Sequence, residues 1–273
     1  MRCVHVSAAL RQVAPRLRKR CADMQKIPVS CFIIAVNEGD RIARTITSVK
    51  DLVDDIVVID SGSSDDTIAV AQALGCRTLH NDWRGFGPQK RFGEDQCRHD
   101  MVLNLDADEV VLPDLREEMR RLFDNGRPRA SFFRFKLLTV YPGADKPRAY
   151  ADYHNYIRLY DRTKGRFSPS PVHDLVDPGG HEVVQLSGVA WHYSYRSLSH
   201  LIAKLNSYTD LQARTARKGG ALFGIRLLAE FPLSFFKYYV LRRHITGGLR
   251  GFVFAFAYSA FKVFRLAKMG RIA

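Results

Sequence analysis

The sequence predicts an α/β fold built on a doubly wound, mostly parallel sheet, and three observations lead there. Short apolar runs of strand type alternate with stretches of helical spacing between Ile27 and Asp124. Three of those runs end abruptly on polar groups: Ile27 to Val36 on Asn37-Glu38, Asp55 to Ile59 on Asp60, and Met101 to Leu105 on Asp106-Ala107-Asp108-Glu109. Open α/β sheets place their ligands at the carboxyl ends of strands, where these groups fall.

Taken in order, Ile42, Ile46 and Val49 recur at helical spacing after the first strand. The second strand leads into Ser61-Gly62-Ser63-Ser64-Asp65-Asp66-Thr67, where Asp65 or Asp66 caps a helix through Ala73. Cys76 to His80 is a third short strand, followed by a Gly-rich loop, Trp83-Arg84-Gly85-Phe86-Gly87, and a helix from Pro88 to about Arg98. The Met101 strand then precedes a helix over residues 113–124. From Ser131 to Val140 and Ala149 to Arg162, aromatic and β-branched residues predict strands that form a covering β layer, and Glu182 to Tyr193 is another strand, carrying Trp191-His192. Leu198 to about Arg217 reads as helix.

Composition sets the outer limits. With 273 residues the chain buries a full core, and 46% hydrophobic with 26% charged residues is ordinary for a folded protein. The net charge of +14 is unusual, and it is concentrated: residues 211–273 hold twelve Lys and Arg against the single acid Glu230. Within that tail Leu222 to Leu241 and Phe252 to Leu266 are apolar and aromatic but broken by charges. The longest uncharged window, Gly251 to Phe261, is far short of the roughly 20 residues a spanning helix needs. Basic amphipathic helices of this kind lie in an anionic membrane interface; two helices packed on the catalytic domain are the alternative. Five scattered cysteines with no CxxC pair predict free thiols in a reducing cytosol. The expected organisation is a basic, disordered leader over 1–26, a catalytic domain over 27–217, and membrane-associating helices over 218–273.

The triplet at 106–109 sets the chemistry. Asp106 and Asp108 flank one small residue, so both can converge on a hard cation, and Mg²⁺ is typically held by one or two carboxylates plus substrate phosphates. Capping of the helix that starts at Pro113 is the bland alternative. Lys90 and Arg91 open a helix after the Gly-rich loop, a place suited to phosphate.

Asn37-Glu38, Asp60 to Thr67 and Leu103 to Glu109 together resemble the motifs of family 2 inverting glycosyltransferases of the GT-A fold. Asp82 to Arg91 and Gly247 to Phe252 are similar to a subgroup, the lipopolysaccharide core β-1,4-glucosyltransferases that modify heptose; the resemblance runs over about residues 27–270. It implies a UDP-sugar donor, UDP-glucose first, and a lipid-linked saccharide acceptor. It places the protein peripherally on the cytoplasmic face of the inner membrane, with no nucleic-acid partner. It implies Mg²⁺ or Mn²⁺ on Asp108, with Asp106 facing the ribose or the metal and His192 near metal or diphosphate. Asn37, Glu38 and Asp60 sit where the family binds the nucleoside, although Ser61 stands where a second acid is common; a loop-capping role for Asp60 is the competing reading. Lys90 faces phosphate. Inversion needs a base on the face opposite the diphosphate, and Asp174 in Pro171-Val172-His173-Asp174 suits it, with Asp152 and Asp161 as competitors. Two other functions stay open at this point: transfer to a polyprenyl phosphate, and a nonenzymatic basic protein binding nucleic acid.

Overall fold

The computed structural model describes residues 25–171, 174–215 and 223–270. The expected leader lies almost wholly outside the described residues. Strands β1 (Ile27–Ala35), β2 (Val53–Asp60), β3 (Arg77–His80), β4 (Met101–Asp106), β5 (Glu109–Val111), β6 (Phe132–Thr139), β7 (Tyr153–Asp161) and β8 (Val183–His192) hydrogen-bond in the order β3-β2-β1-β4-β7-β6-β8-β5. Helices are α1 (Ile42–Val49), α2 (Thr67–Ala73), α3 (Phe86–Asp95), α4 (Pro113–Arg121), α5 (Leu198–Thr215), α6 (Phe223–Phe236) and α7 (Gly248–Met269). A π-helical turn at Lys237–Leu241 and a 3-10 turn at His244–Gly247 join the last two.

The described chain divides into two compact units. The first comprises described residues within Met1–Ala107, Pro113–Arg134 and Ile157–Ser187; the second comprises those within Asp108–Leu112, Phe135–Tyr156 and Gly188–Ala273.

In the first unit β1 pairs in parallel with β2 and β4, and β2 with β3. This 3-2-1-4 order reverses direction between β1 and β4, and such switch points open a ligand crevice at the strands' carboxyl ends. Ala35 pairs with Asp60 and Ile34 with Asp106, which lines up the two strand-ending acids on either side of β1. Both faces of these strands are covered, so they carry nearly continuous apolar runs, with Phe32, Val57, Ile59, Val102, Phe132 and Tyr160 sharing one cluster. β7 pairs antiparallel with β4, so part of the expected covering layer belongs to the same sheet.

Three local differences from expectation have simple causes. α3 starts at Phe86 rather than Pro88, because a proline in the first turn loses no intrahelical bond. β5 was invisible in the sequence: it has three residues, one of them the fully buried Glu109, and only its partner β8 makes it a strand. Asp106 and Asp108 precede β5 and Glu109 lies within it, so none of them stands at the N-cap position of α4.

Two features brace the first unit. Asp55 accepts both guanidinium N–H groups of Arg77 at 2.9 Å and the Ser30 hydroxyl at 2.8 Å. The Gly-rich loop is glycine because the 168–171 loop lies against it. Phe86 N–H donates to Pro171 O at 3.0 Å and Gly87 N–H to Ser170 O at 3.1 Å, and a Cβ on Gly87 would stand 2.2 Å from Ser168 O.

Burial works against ionising Asp55, but its hydrogen bonds with Arg77 and Ser30 outweigh this and hold its pKa below the ordinary value. A lowered carboxylate pKa contributes stability above the unfolded pKa of about 4, and that stability is lost as pH falls through the folded value. Asp55→Ala is expected to cost about 3 kcal/mol at neutral pH, measured by urea unfolding, and to flatten the acid limb of the stability profile. Gly87→Ala is expected to cost about 2 kcal/mol in the same measurement, because the facing backbone carbonyls have no room to yield.

Candidate active site

The first unit carries Asn37, Glu38 and Asp60, the residues expected from the sequence to meet the nucleoside, at the ends of β1 and β2. Asn37, in the left-handed region at φ 54°, accepts the Ser64 N–H at 2.9 Å through its side-chain oxygen and donates its own N–H to Ser63 Oγ at 2.8 Å. Glu38 is held by Arg41, with one contact at 2.8 Å, and its N–H donates to Thr67 Oγ1 at 2.7 Å. Asp60 is buried and accepts the N–H groups of Gly62 and Ser63 at 2.8 and 2.9 Å, together with the Ser63 hydroxyl. The loop-capping arrangement weighed for Asp60 is therefore present. Asp65, not Asp66, serves α2: it accepts the Thr67 N–H at 3.0 Å and reaches back to the Gly39 N–H at 3.0 Å. Ser61, at the position where a second acid is common, accepts a hydrogen bond from the buried Gln89 at 2.9 Å.

Lys90 projects from α3 and is only 1% exposed. Its ammonium lies 2.6 Å from Asp174 Oδ2, 3.0 Å from Asp106 Oδ1 and 5.1 Å from the centroid of the Phe167 ring. Asp106 Oδ2 in turn accepts from Arg158 Nη2 at 3.0 Å, and Arg158 also bonds Asn104. Three of the residues singled out from the sequence, Lys90, Asp106 and Asp174, are thus one ion cluster. The two carboxylates, each about a third exposed, give the cluster its open side. Arg91 is turned elsewhere, donating to Phe167 O at 3.1 Å. Of the neighbours of Asp174 in its loop, Val172 and His173 lie outside the described residues.

Sequence reasoning missed Arg158, Gln89 and Glu94. Arg158 is one polar residue on an alternating strand, with no spacing signal to mark it. Glu94 is fully buried and braces the same cluster from below, accepting from Tyr160 Oη at 2.6 Å, Arg166 Nε at 2.7 Å and Phe167 N–H at 2.9 Å. Asp161, one of the competitors for the base, is the buried last residue of β7, bonded to Thr163 and Arg127.

In the second unit Asp108 and His192 come together. The pairing of β5 with β8 sets Glu109 opposite His192, and Tyr193 N–H donates to Asp108 O at 2.9 Å. The imidazole Nε2 lies 3.4 Å from Asp108 Oδ1, and the His154 ring centroid is 6.2 Å from that of His192. One carboxylate and one imidazole with partial solvent access form a donor set that suits Mg²⁺ or Mn²⁺ when phosphate oxygens complete it. Among the described residues no group of three or more His, Cys, Asp or Glu gathers into a complete protein-only site. Asp152, the other competitor for the base, lines a cavity of this unit that also takes in His154.

Comparison with known proteins was informative at the level of family. The profile of Glycosyl transferase family 2 matches residues 30–170. An uncharacterized glycosyltransferase of Rickettsia felis is 37% identical over 257 residues, covering 90% of each chain. The lipopolysaccharide core biosynthesis glycosyltransferase LpsC of Rhizobium meliloti is 28% identical over 251 residues, 89% of this chain and 92% of that one. Among solved structures, S. aureus TarS 1-349 in complex with UDP-GlcNAc aligns with a TM-score of 0.47 at 13% identity, over 89% of this chain and 84% of that one. A family profile over just over half of the residues, and a relative of such identity along nine-tenths of the length, establish that this chain belongs to glycosyl transferase family 2.

Proposed function

We propose that the protein is an inverting enzyme that moves a sugar, glucose in the first instance, from a UDP-sugar to a lipid-linked saccharide of the lipopolysaccharide core. The similarity to LpsC along most of both chains supports the acceptor class. The observation that carries the reading is the convergence of Asp106 and Asp174, distant in sequence, on one buried ammonium at the carboxyl end of β4.

In this reading Asn37, Glu38 and Asp60 form the nucleoside end. For Asp60 the support is indirect, since its side chain shapes the Ser61–Ser64 loop that the uridine would meet. Both carboxylate oxygens of Asp106 face cations, which suits acceptance of a ribose hydroxyl better than direct metal ligation. Asp108 and His192 would hold Mg²⁺ or Mn²⁺, which supplies charge neutralisation to the departing diphosphate.

Asp174 accepts the proton of the attacking acceptor hydroxyl. The Lys90 ammonium, 2.6 Å away, fixes the position of that carboxylate.

The second unit supports membrane attachment. Leu228 is 81% exposed and Leu249 79%, and Leu233, Phe236 and Phe256 are exposed with them, alongside the bases Arg226, Lys237 and Arg250. No helix among the described residues is long and apolar enough to cross a membrane. A basic apolar surface without a span is the chemistry of an interfacial anchor, and we place it on the cytoplasmic face of the inner membrane.

The test is UDP release with Mg²⁺ or Mn²⁺, with and without truncated lipopolysaccharide. Asp174→Ala is expected to lower kcat by about 10² to 10⁴ with UDP binding retained, and Asp108→Ala to abolish metal-dependent transfer in a folded protein. Wild-type turnover in either variant would remove the assigned role. The paired substitution Leu228→Asp and Leu249→Asp is expected to release the protein from anionic phosphatidylglycerol vesicles in a flotation assay, whereas equal flotation of variant and wild type would exclude the anchor.

A further inference from the structure

The second unit contains a cavity of about 640 Å³, within the size range of small-ligand sites. Its walls combine tyrosines (Tyr141, Tyr150, Tyr153, Tyr195, Tyr238 and Tyr258) with three arginines and one acid, Asp152.

The framework is held by Arg148, nearly buried. Its guanidinium donates to Tyr141 Oη at 2.9 Å, Asp152 Oδ2 at 3.1 Å, Arg242 O at 3.0 Å and Arg243 O at 3.1 Å, and to the carbonyls of Ala149 and Tyr150. One cation therefore ties the chain near residue 150 to the chain near residue 243. Opposite it, His244 lies 2.6 Å from Tyr141 Oη through Nδ1 and 2.9 Å from Asp152 through Nε2. Burial pushes the Tyr141 phenol up to about 12. Burial opposes ionisation of Asp152, but His244, Arg148 and Arg242 prevail and hold its pKa below the ordinary value.

The rim carries two strained residues. Tyr150 and Arg243 are both left-handed, at φ 56° and 55°, and the Arg243 guanidinium stacks 4.2 Å from the Tyr150 ring centroid. Bulky residues adopt this conformation only where the surroundings over-determine it, and such residues cluster at ligand sites. Tyr150 is nonetheless 69% exposed, and Arg242 and Arg243 are exposed too. Aromatic faces serve the apolar face of a sugar ring, an ionised carboxylate accepts its hydroxyls, and two exposed guanidinium groups beyond the structural one select negative charge.

From this geometry we propose that the cavity is a binding site for an anionic saccharide, a sugar bearing phosphate or carboxylate, with Arg242 and Arg243 taking the charge and Tyr150 the ring. Nothing in the donor chemistry above uses these residues. The proposal rests on the glycosyltransferase reading only in identifying the ligand as part of the acceptor.

Calorimetry on the full chain tests it with four probes: glucose 6-phosphate, glucuronate, glucose and inorganic phosphate. Binding of at least one of the two charged sugars, at least tenfold tighter than glucose and than phosphate alone, is the expected result, and comparison of the two identifies the anion. Arg242→Ala and Arg243→Ala are each expected to weaken that binding about tenfold, and Arg243→Lys to restore part of it. Circular dichroism and UDP binding should stay as in the wild type. Equal affinity for charged and neutral sugars, phosphate binding as tight as the sugar phosphate, or arginine variants that bind like the wild type would each overturn the site. A loss of UDP binding in the wild-type chain would instead strike the donor assignment and leave this cavity standing on its own result.

Discussion

A lysine ammonium with almost no solvent contact needs anionic company, because desolvating an ion costs several kcal/mol even after the protein relaxes. Lys90 meets that need with two carboxylates and the face of Phe167. The requirement constrains three segments at once: α3, which carries the lysine; the end of β4, which carries Asp106; and the loop that delivers Asp174. The Gly-rich turn before α3 makes the geometry possible, since only glycine at position 87 lets the 168–171 backbone come close enough to hydrogen-bond with it. What reads in the sequence as a phosphate-binding turn is also the seat of the loop that leads to Asp174.

The buried polar groups around this cluster follow one logic. Glu94 has no solvent exposure, yet each carboxylate oxygen is satisfied by a donor from the 160–167 segment. Asp55 does the same for Arg77 and Ser30 at the other end of the parallel strands. Such groups add little net stability over an apolar replacement, but a fully satisfied network restricts the ways in which the segments can pack. A site that must hold two carboxylates near one cation gains from that restriction. The second unit repeats it with opposite charge, through the guanidinium of Arg148, which collects backbone carbonyls together with the Asp152 carboxylate.

The distribution of charge separates the tasks of the chain. Acids concentrate where strands end, against a surplus of bases in the last quarter, alongside exposed leucines and phenylalanines of α6 and α7. The bases of the tail thus sit among apolar side chains, apart from the strand-ending acids of the first unit.

By itself the amino-acid sequence determined the alternation of strands and helices, the parallel strands that end on Asp60 and Asp106, and the family. These follow from periodicity and from local motifs, which act over a few residues and leave a mark in the order of the chain. Tertiary structure alone decided what each polar side chain touches. Asp60 reads in the sequence as a nucleoside contact with a loop cap as the competitor, and only the folded chain puts the Gly62 and Ser63 amides on it. Lys90 was legible as a cation after a Gly-rich loop, but not as the counter-ion of Asp174, because 84 residues separate the pair. Arg158, Glu94 and the three-residue β5 carry no periodic signal at all; their roles come from partners on distant segments. The same holds for the cavity framed by Arg148: its two walls meet through hydrogen bonds across 94 and 95 residues, a distance over which local sequence has no physical means of announcing a contact.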